Sequence, residues 1–317
     1  MKAMRKIGGI LLSVSLLLTG ISVSAVENNA HPVPGVRVYV GNHLMHIYCV
    51  GSGSPTVILD SGLGGSSLDW ARVQPEVAKY TRVCAYDRAG YGWSDASPMP
   101  RTSLVLAEEL HTLLTAARVP GPYVLVGHSF GGFNARMFAS RFPHETAALV
   151  LVDAAHERQF TSFETAPMPL IAAPRSRNFV LFAQPSLPPG VPQELQPLAR
   201  DLAVSRSTLS AVRGELAAFR YSAEQVAHAG PLPDIPLAVI TRGKRVWPRT
   251  PRGDQMERLW EELQDDLARL TSRSIHLVAE HSGHYVQLEQ PAVVINTIYA
   301  MVQATRPAKA NSRLTKH

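Results

Sequence analysis

The pentapeptide Gly127-His128-Ser129-Phe130-Gly131 carries the strongest chemical signal in the sequence. It follows the wholly apolar run Tyr123 to Val126 and precedes a helical pattern from Phe130 to Arg141. In that setting a G-x-S-x-G serine is raised on a sharp strand-to-helix turn. The turn forces Ser129 into a strained backbone conformation and leaves no room for a Cβ at Gly127 or Gly131, where it approaches the neighbouring chain. The hydroxyl then projects above a sheet, and the amides opening the next helix favour negative charge on a reacting carbonyl oxygen. The chemistry implied is nucleophilic attack by Ser129 on an acyl carbon.

A serine hydroxyl needs a base to take its proton, and the base needs a third group to hold its ring and stabilise the imidazolium. Of the 12 histidines, His284 stands in Ser282-Gly283-His284, between the last apolar strand pattern and the last helix pattern. His281 is its competitor. The two could be imagined as a metal pair, but no Cys, His or carboxylate cluster of ligand spacing accompanies them. His128, His156 and His276 read as structural or solvated.

The elements that must position these residues alternate along the chain. Two short β-like runs flank Gly41-Asn42 between Val36 and Val50, and Thr56 to Leu59 reads as a buried strand. Leu68 to Tyr80 is predicted helical, Arg82 to Tyr86 a strand, and Thr102 to Ala117 a helix with Thr102 as N-cap. Further apolar strands are predicted at Ala147 to Val152, Pro236 to Thr241 and Ile275 to Ala279, with helices at Asp254 to Leu270 and Ala292 to Gln303. Short apolar strands separated by helices predict an α/β fold with a mostly parallel sheet covered on both faces. Residues 154–234 break the rhythm. They hold no buried-strand signal, prolines crowd their first half from Pro167 to Pro197, and Phe160, Phe163, Leu170, Phe179, Val180, Leu181 and Phe182 make them too apolar for a solvated linker. The segment reads as a lid of short helices.

The sequence resembles the α/β-hydrolase family from about Val36 to Gln303. The resemblance rests on four segments in the family's order: Asp60-Ser61-Gly62-Leu63-Gly64-Gly65, Asp87-Arg88-Ala89-Gly90-Tyr91-Gly92-Trp93-Ser94, the serine turn, and Ser282-Gly283-His284. It implies an eight-stranded-type sheet formed by 26–153 and 235–304, with the 154–234 lid inserted before the penultimate strands. It also implies His284 over Ser129 and an oxyanion hole from the backbone N–H groups of Leu63 and Phe130. Ser61 stands where family members often carry His. Gly90 and Gly92 read as turn glycines.

The acid departs from the family's pattern. The loop after Leu237 to Thr241 commonly supplies it, yet here the chain reads Arg242-Gly243-Lys244-Arg245-Val246-Trp247. Asp254 could fold back, although it also suits the first turn of a helix. Asp153 closes the strand Ala147 to Val152, where some relatives place the acid, and it is the preferred third member; its alternative role is a strand-end Asp bonded to loop amides. The basic group Arg242, Lys244, Arg245, Arg249 and Arg252 either pairs with Glu257, Glu261, Glu262, Asp265 and Asp266 as a solvated face or flanks the entrance for an acidic substrate. The former is preferred.

The chain has 317 residues, 45% hydrophobic and 18% charged, which excludes disordered, collagen-like and multi-span membrane classes. A pI near 9.5 suggests an anionic partner. However, Lys2, Arg5 and Lys6 lie at the N-terminus and Arg306, Lys309, Arg313 and Lys316 in the C-terminal tail. The body between them is close to neutral, so no nucleic-acid partner is expected. Residues 1–25 read as a secretory signal ending Val23-Ser24-Ala25, with an uncleaved anchor as the alternative; their apolar run is short of the roughly 20 residues a span needs. Residues 305–317 read as a frayed tail. Cys49 and Cys84 could bridge or stand as separate buried thiols.

The expected activity is hydrolysis of a small, uncharged, partly hydrophobic carboxylic ester outside the cytoplasm, without cofactor. Ser129, His284 and Asp153 would form the triad. Serine rather than aspartate at the elbow argues against dehalogenase and epoxide-hydrolase chemistry. The rival readings are a proline-releasing aminopeptidase, needing a lid carboxylate from Glu164, Glu194, Glu215 or Glu224, and a binding protein that lost turnover.

Overall fold

The computed structural model describes residues 33–159 and 187–306. The expected signal segment at 1–25, the residues at 160–186 that suggested an apolar lid, and all but the first two residues of the basic tail lie outside the described residues.

Eight strands form one sheet: β1 (Val36–Tyr39), β2 (Leu44–Val50), β3 (Thr56–Asp60), β4 (Val83–Tyr86), β5 (Tyr123–His128), β6 (Thr146–Val152), β7 (Leu237–Arg242) and β8 (Ser274–Ala279). Their order is β1-β2-β4-β3-β5-β6-β7-β8. The β1–β2 and β2–β4 pairings are antiparallel and all the others are parallel. The central strands are apolar at nearly every position because both faces are covered. Side chains alternate between them: Val57, Leu59, Val124 and Val126 enter one core cluster, Ile58 and Leu125 the other. The architecture predicted from the alternating apolar runs is the one observed.

Helix α1 (Gln74–Val77) and the 3-10 turn Ser67–Trp70 replace the single helix predicted over Leu68 to Tyr80. Pro75 lacks an N–H and cannot sit inside a continuous helix, so it opens a new one instead. Helices α2 (Ser103–Ala116) and α3 (Gly131–Arg141) cover one face. Thr102 sits at the N-cap of α2, but its side chain makes no capping bond and its Oγ1 accepts from Gln225 Nε2 at 3.3 Å.

In the described part of the 154–234 segment, α4 (Gln196–Ala203) is short, whereas α5 (Arg206–Ala227) runs 22 residues where short helices were expected. The stretch lacks proline after Pro197 until the helix has ended, is rich in Ala, Arg and Glu, and starts on Ser205, whose side chain accepts from Thr208 N. Helix α5 packs against α2 and α3 and sets Phe219 against Phe130 and Phe133, with ring centroids 5.0 and 5.6 Å apart.

Helix α6 (Pro251–Leu267) starts on the Thr250 cap. Helix α7 (Val286–Glu289) and helix α8 (Pro291–Thr305) close the chain, and α8 buries Val294, Ile298 and Val302 on the opposite face of the sheet. No described helix is long and apolar enough to cross a membrane.

Cys49 and Cys84 are directly opposed on β2 and β4 and form a disulfide, which resolves the alternatives left by the sequence. The bridge closes a 35-residue separation. Replacing both cysteines by alanine should lower the unfolding free energy by about 2–4 kcal/mol. Urea denaturation with and without dithiothreitol checks this: the reductant should destabilise the parent chain and leave the double variant unchanged.

Candidate active site

Strand β5 ends at His128, and the next residue, Ser129, has φ 51°, the left-handed region that a side-chain-bearing residue enters only under constraint. The constraint is visible in the bonds. Ser129 N–H donates to the Val152 carbonyl at 3.1 Å, and the Ser129 carbonyl accepts from Ala155 N–H at 2.9 Å. A Cβ at Gly127 would lie 2.4 Å from the Gly131 carbonyl oxygen, and one at Gly131 would lie 2.5 Å from that of Asp60. Both positions therefore require glycine, as the turn argument anticipated.

Asp153, the next residue after β6, is fully buried and has φ 39°. His284 Nδ1–H donates to its Oδ2 at 2.6 Å. Trp260 Nε1–H donates to Oδ1 at 2.7 Å, and Arg242 Nη1 reaches both oxygens at 3.2 Å. Burial by itself would raise this carboxyl, but the Arg242 charge and the His284 and Trp260 hydrogen bonds outweigh it and bring it down to about 2. An ionised carboxylate on Nδ1 fixes the proton there and leaves Nε2 as the basic nitrogen.

His128 holds the same loop. Its Nε2 lies 2.9 Å from the His284 carbonyl oxygen, and the two rings are 4.7 Å apart. Burial and the nearby His284 charge push its pKa down to about 3, so it is neutral and its Nε2–H donates to that carbonyl. The residue next to Ser129 thereby ties the His284 loop to the serine turn. Leu63, in the loop after β3, and Phe130 have backbone N–H groups with no hydrogen-bond partner among the described residues.

The other candidates lie elsewhere. His281 is exposed. His156 bonds Asp266 at 3.0 Å, and His276 bonds Asp265 at 2.9 Å. Asp254 lies in the first turn of α6 and binds Arg245 at 2.7 Å, a half-exposed pair. Among the described residues, no three His, Cys, Asp or Glu side chains are grouped as metal ligands.

Arg242 was misread from the sequence as surface charge. It is buried, its guanidinium carbon lies 4.7 and 4.9 Å from the ring centroids of Trp247 and Trp260, and it binds Glu257 at 3.1 Å as well as Asp153. It is neither a solvated face nor an entrance charge but the counter-ion of the buried acid. The only available signal was its position, directly after the apolar run Leu237 to Thr241. Trp260 was missed because an indole in an amphipathic helix reads as core.

Comparison with known proteins identifies the family and the fold. The model of the alpha/beta hydrolase family matches residues 57–297. The chain is 26% identical to the uncharacterized protein YqjL of Bacillus subtilis over 253 residues, 78% of this chain and 84% of that one. It spans less than half the length of several other curated relatives that it matches. Among solved structures, the epoxide hydrolase CorEH superposes with TM-score 0.64 at 19% identity, covering 86% of this chain and 99% of that one. A thermophilic esterase from Thermogutta terrifontis does so with TM-score 0.59 at 20% identity, covering 87% and 100%. At these identities the structural likeness establishes the fold.

Removing Arg242 strands a buried carboxylate. Arg242→Gln should cost about 3–5 kcal/mol of stability, whereas Asp254→Asn, which breaks a half-exposed pair, should cost no more than about 1 kcal/mol. Because the Asp153 pKa is depressed on folding, its stabilising effect is complete above the ordinary carboxylate range and is lost as pH falls toward 2. Urea unfolding of both variants at neutral pH, and of the parent chain between pH 5 and 2, measures these effects.

Proposed function

The chain belongs to the alpha/beta hydrolase family, and from that premise we propose that it is a serine hydrolase cleaving a carboxylic ester through an acyl-enzyme. Ser129 is the nucleophile, His284 the general base and then acid, Asp153 the orienting carboxylate, and the Leu63 and Phe130 amides the oxyanion donors. The observation that carries the reading is the 2.6 Å contact from His284 Nδ1 to Asp153 Oδ2, made by a histidine whose loop is tied to the residue beside Ser129.

In this reading His284 Nε2 takes the hydroxyl proton as Ser129 Oγ attacks the acyl carbon. Negative charge moves to the former carbonyl oxygen, where two main-chain N–H groups receive it. His284 returns the proton to the departing alkoxide. Water, deprotonated in the same way, then releases the acid and regenerates the serine. Asp153, with a carboxyl at about 2, stays ionised throughout and stabilises the imidazolium without taking its proton.

The rival readings find less support. Glu215, offered as a carboxylate for a substrate amine, is bound by Arg88, Arg101 and the Tyr91 hydroxyl. Glu194 and Glu224 are exposed, and Glu164 lies outside the described residues. The non-catalytic reading rested on the missing acid, and a carboxylate on His284 removes that motive. We further propose an exported protein acting on a small, uncharged, partly hydrophobic ester. The Cys49–Cys84 bridge supports the compartment, since disulfides persist in oxidising ones.

A fluorophosphonate probe should label the parent chain and fail on Ser129→Ala. On a short-chain aryl ester, Asp153→Asn should lower kcat by about 10³–10⁴-fold, whereas Asp254→Asn should stay within about twofold of the parent. No labelling of the parent chain, or a larger loss from Asp254→Asn than from Asp153→Asn, would contradict the assignment.

A further inference from the structure

Behind the loop that follows β3 lies a buried arginine that the catalytic scheme does not use. Arg88, in the loop after β4, is 3% exposed. Nη1 donates to Asp60 Oδ1 at 2.7 Å and to the Ser61 carbonyl at 2.6 Å. Nη2 donates to the Gly62 carbonyl at 2.8 Å and to Glu215 Oε2 at 3.0 Å. Nε donates to Glu215 Oε1 at 2.9 Å. These contacts engage all five N–H donors of the guanidinium, so its orientation is fully determined.

The contact with Gly62 matters most. The Gly62 carbonyl and the Leu63 N–H are opposite ends of one peptide plane, and in a trans peptide they point in opposite directions. A guanidinium on the carbonyl therefore fixes the direction of the N–H on the far side. A charge-assisted bond also withdraws electron density through the amide and makes that N–H a stronger donor.

Glu215 holds the guanidinium from the other side. It is fully buried at mid-length of α5, accepts from both Nε and Nη2 of Arg88, and is itself fixed by Tyr91 Oη at 2.8 Å and Arg101 Nη2 at 3.2 Å. Helix α5 belongs to the 154–234 insertion, whereas the loop carrying Leu63 belongs to the sheet. One carboxylate thus connects the two.

We propose that Arg88 is a positioning residue that aims and polarises the Leu63 N–H toward the reacting carbonyl oxygen, and that Glu215 on α5 sets Arg88, so the inserted helix completes the oxyanion site from behind. This rests on the reading of the protein as a serine hydrolase. An oxyanion donor strengthened in this way acts on the tetrahedral species and hardly on the ground-state ester, so its loss falls on kcat.

The test uses the full chain with Arg88→Lys, which keeps the charge but loses the fork, and Glu215→Gln, which keeps the shape but loses the charge. Folding is checked by circular dichroism at the assay temperature. Each variant is assayed for kcat and KM on a short-chain aryl ester and for affinity toward an aryl boronic acid, whose tetrahedral adduct with Ser129 places an oxygen at the oxyanion position. The expected result is a kcat lowered about tenfold to a hundredfold with KM within about twofold, and boronate affinity lowered by a similar factor. Should Arg88→Lys not fold, Glu215→Gln decides alone. Folded variants that keep the parent kcat, or that lose activity through KM with boronate affinity unchanged, overturn the proposal while leaving the serine-hydrolase reading intact. A parent chain inert to both ester and fluorophosphonate overturns the two together.

Discussion

A carboxylate with no solvent access must be neutralised by partners on every side, and at Asp153 those partners are the groups that define the site. His284, Arg242 and Trp260 each satisfy part of the charge. The His284 ring is therefore located by a charge-assisted hydrogen bond inside a low-dielectric setting, where such a bond is short and strongly directional. The same partners keep the acid ionised, so the proton on His284 stays on Nδ1 and the reactive lone pair stays on Nε2. Proton position and ring orientation both follow from how one buried charge is balanced.

Parallel pairing of the central strands brings this acid beside Ser129. In the β5–β6 register His128 is opposite Val152, so the residues that follow, Ser129 and Asp153, leave the sheet side by side. Both have positive φ, and both have amides anchored to carbonyls of the adjacent strand: Ser129 N–H to Val152 and Asp153 N–H to Ile240. The strain at each turn is thus maintained by the sheet itself. His284 comes from far along the chain, and the His128 contact with its carbonyl closes that distance.

The parts of this arrangement legible in the sequence are those written in local pattern. Short apolar runs separated by helical patterns marked the strands, and Gly127-His128-Ser129-Phe130-Gly131 marked the elbow, because steric exclusion at Gly127 and Gly131 is a property of neighbouring residues. His284 and Asp153 could be named from their places at strand ends together with family resemblance. Arg242 could not be read correctly: whether an arginine faces water or a buried acid depends here on an Asp at the end of a strand 89 residues earlier in the chain, and its neighbours Lys244 and Arg245 suggested a solvated cluster. Glu215 was equally opaque, since a glutamate within an amphipathic helix ordinarily faces solvent. The bridge between Cys49 and Cys84 needed the antiparallel register of β2 and β4, which no local feature specifies.

Two of the buried arginines, Arg88 and Arg242, follow one plan on either side of the serine turn. Asp60 at the end of β3 meets Arg88 from the neighbouring strand's loop, and Asp153 after β6 meets Arg242 at the end of neighbouring β7. Each arginine is then held by a glutamate from a helix outside the sheet, Glu215 on α5 and Glu257 on α6. Buried ion pairs contribute little net stability, because desolvation of the charges offsets most of their attraction. Their value is geometric: an arginine fork whose Nη groups are bound to fixed carboxylates restricts the arrangement of the groups around it. Stability alone would be served as well by apolar side chains at these positions. Fixed charge at both flanks of Ser129 instead suits the proposed reaction, in which negative charge would appear above the elbow and positive charge on the imidazole, each at a position settled before substrate arrives.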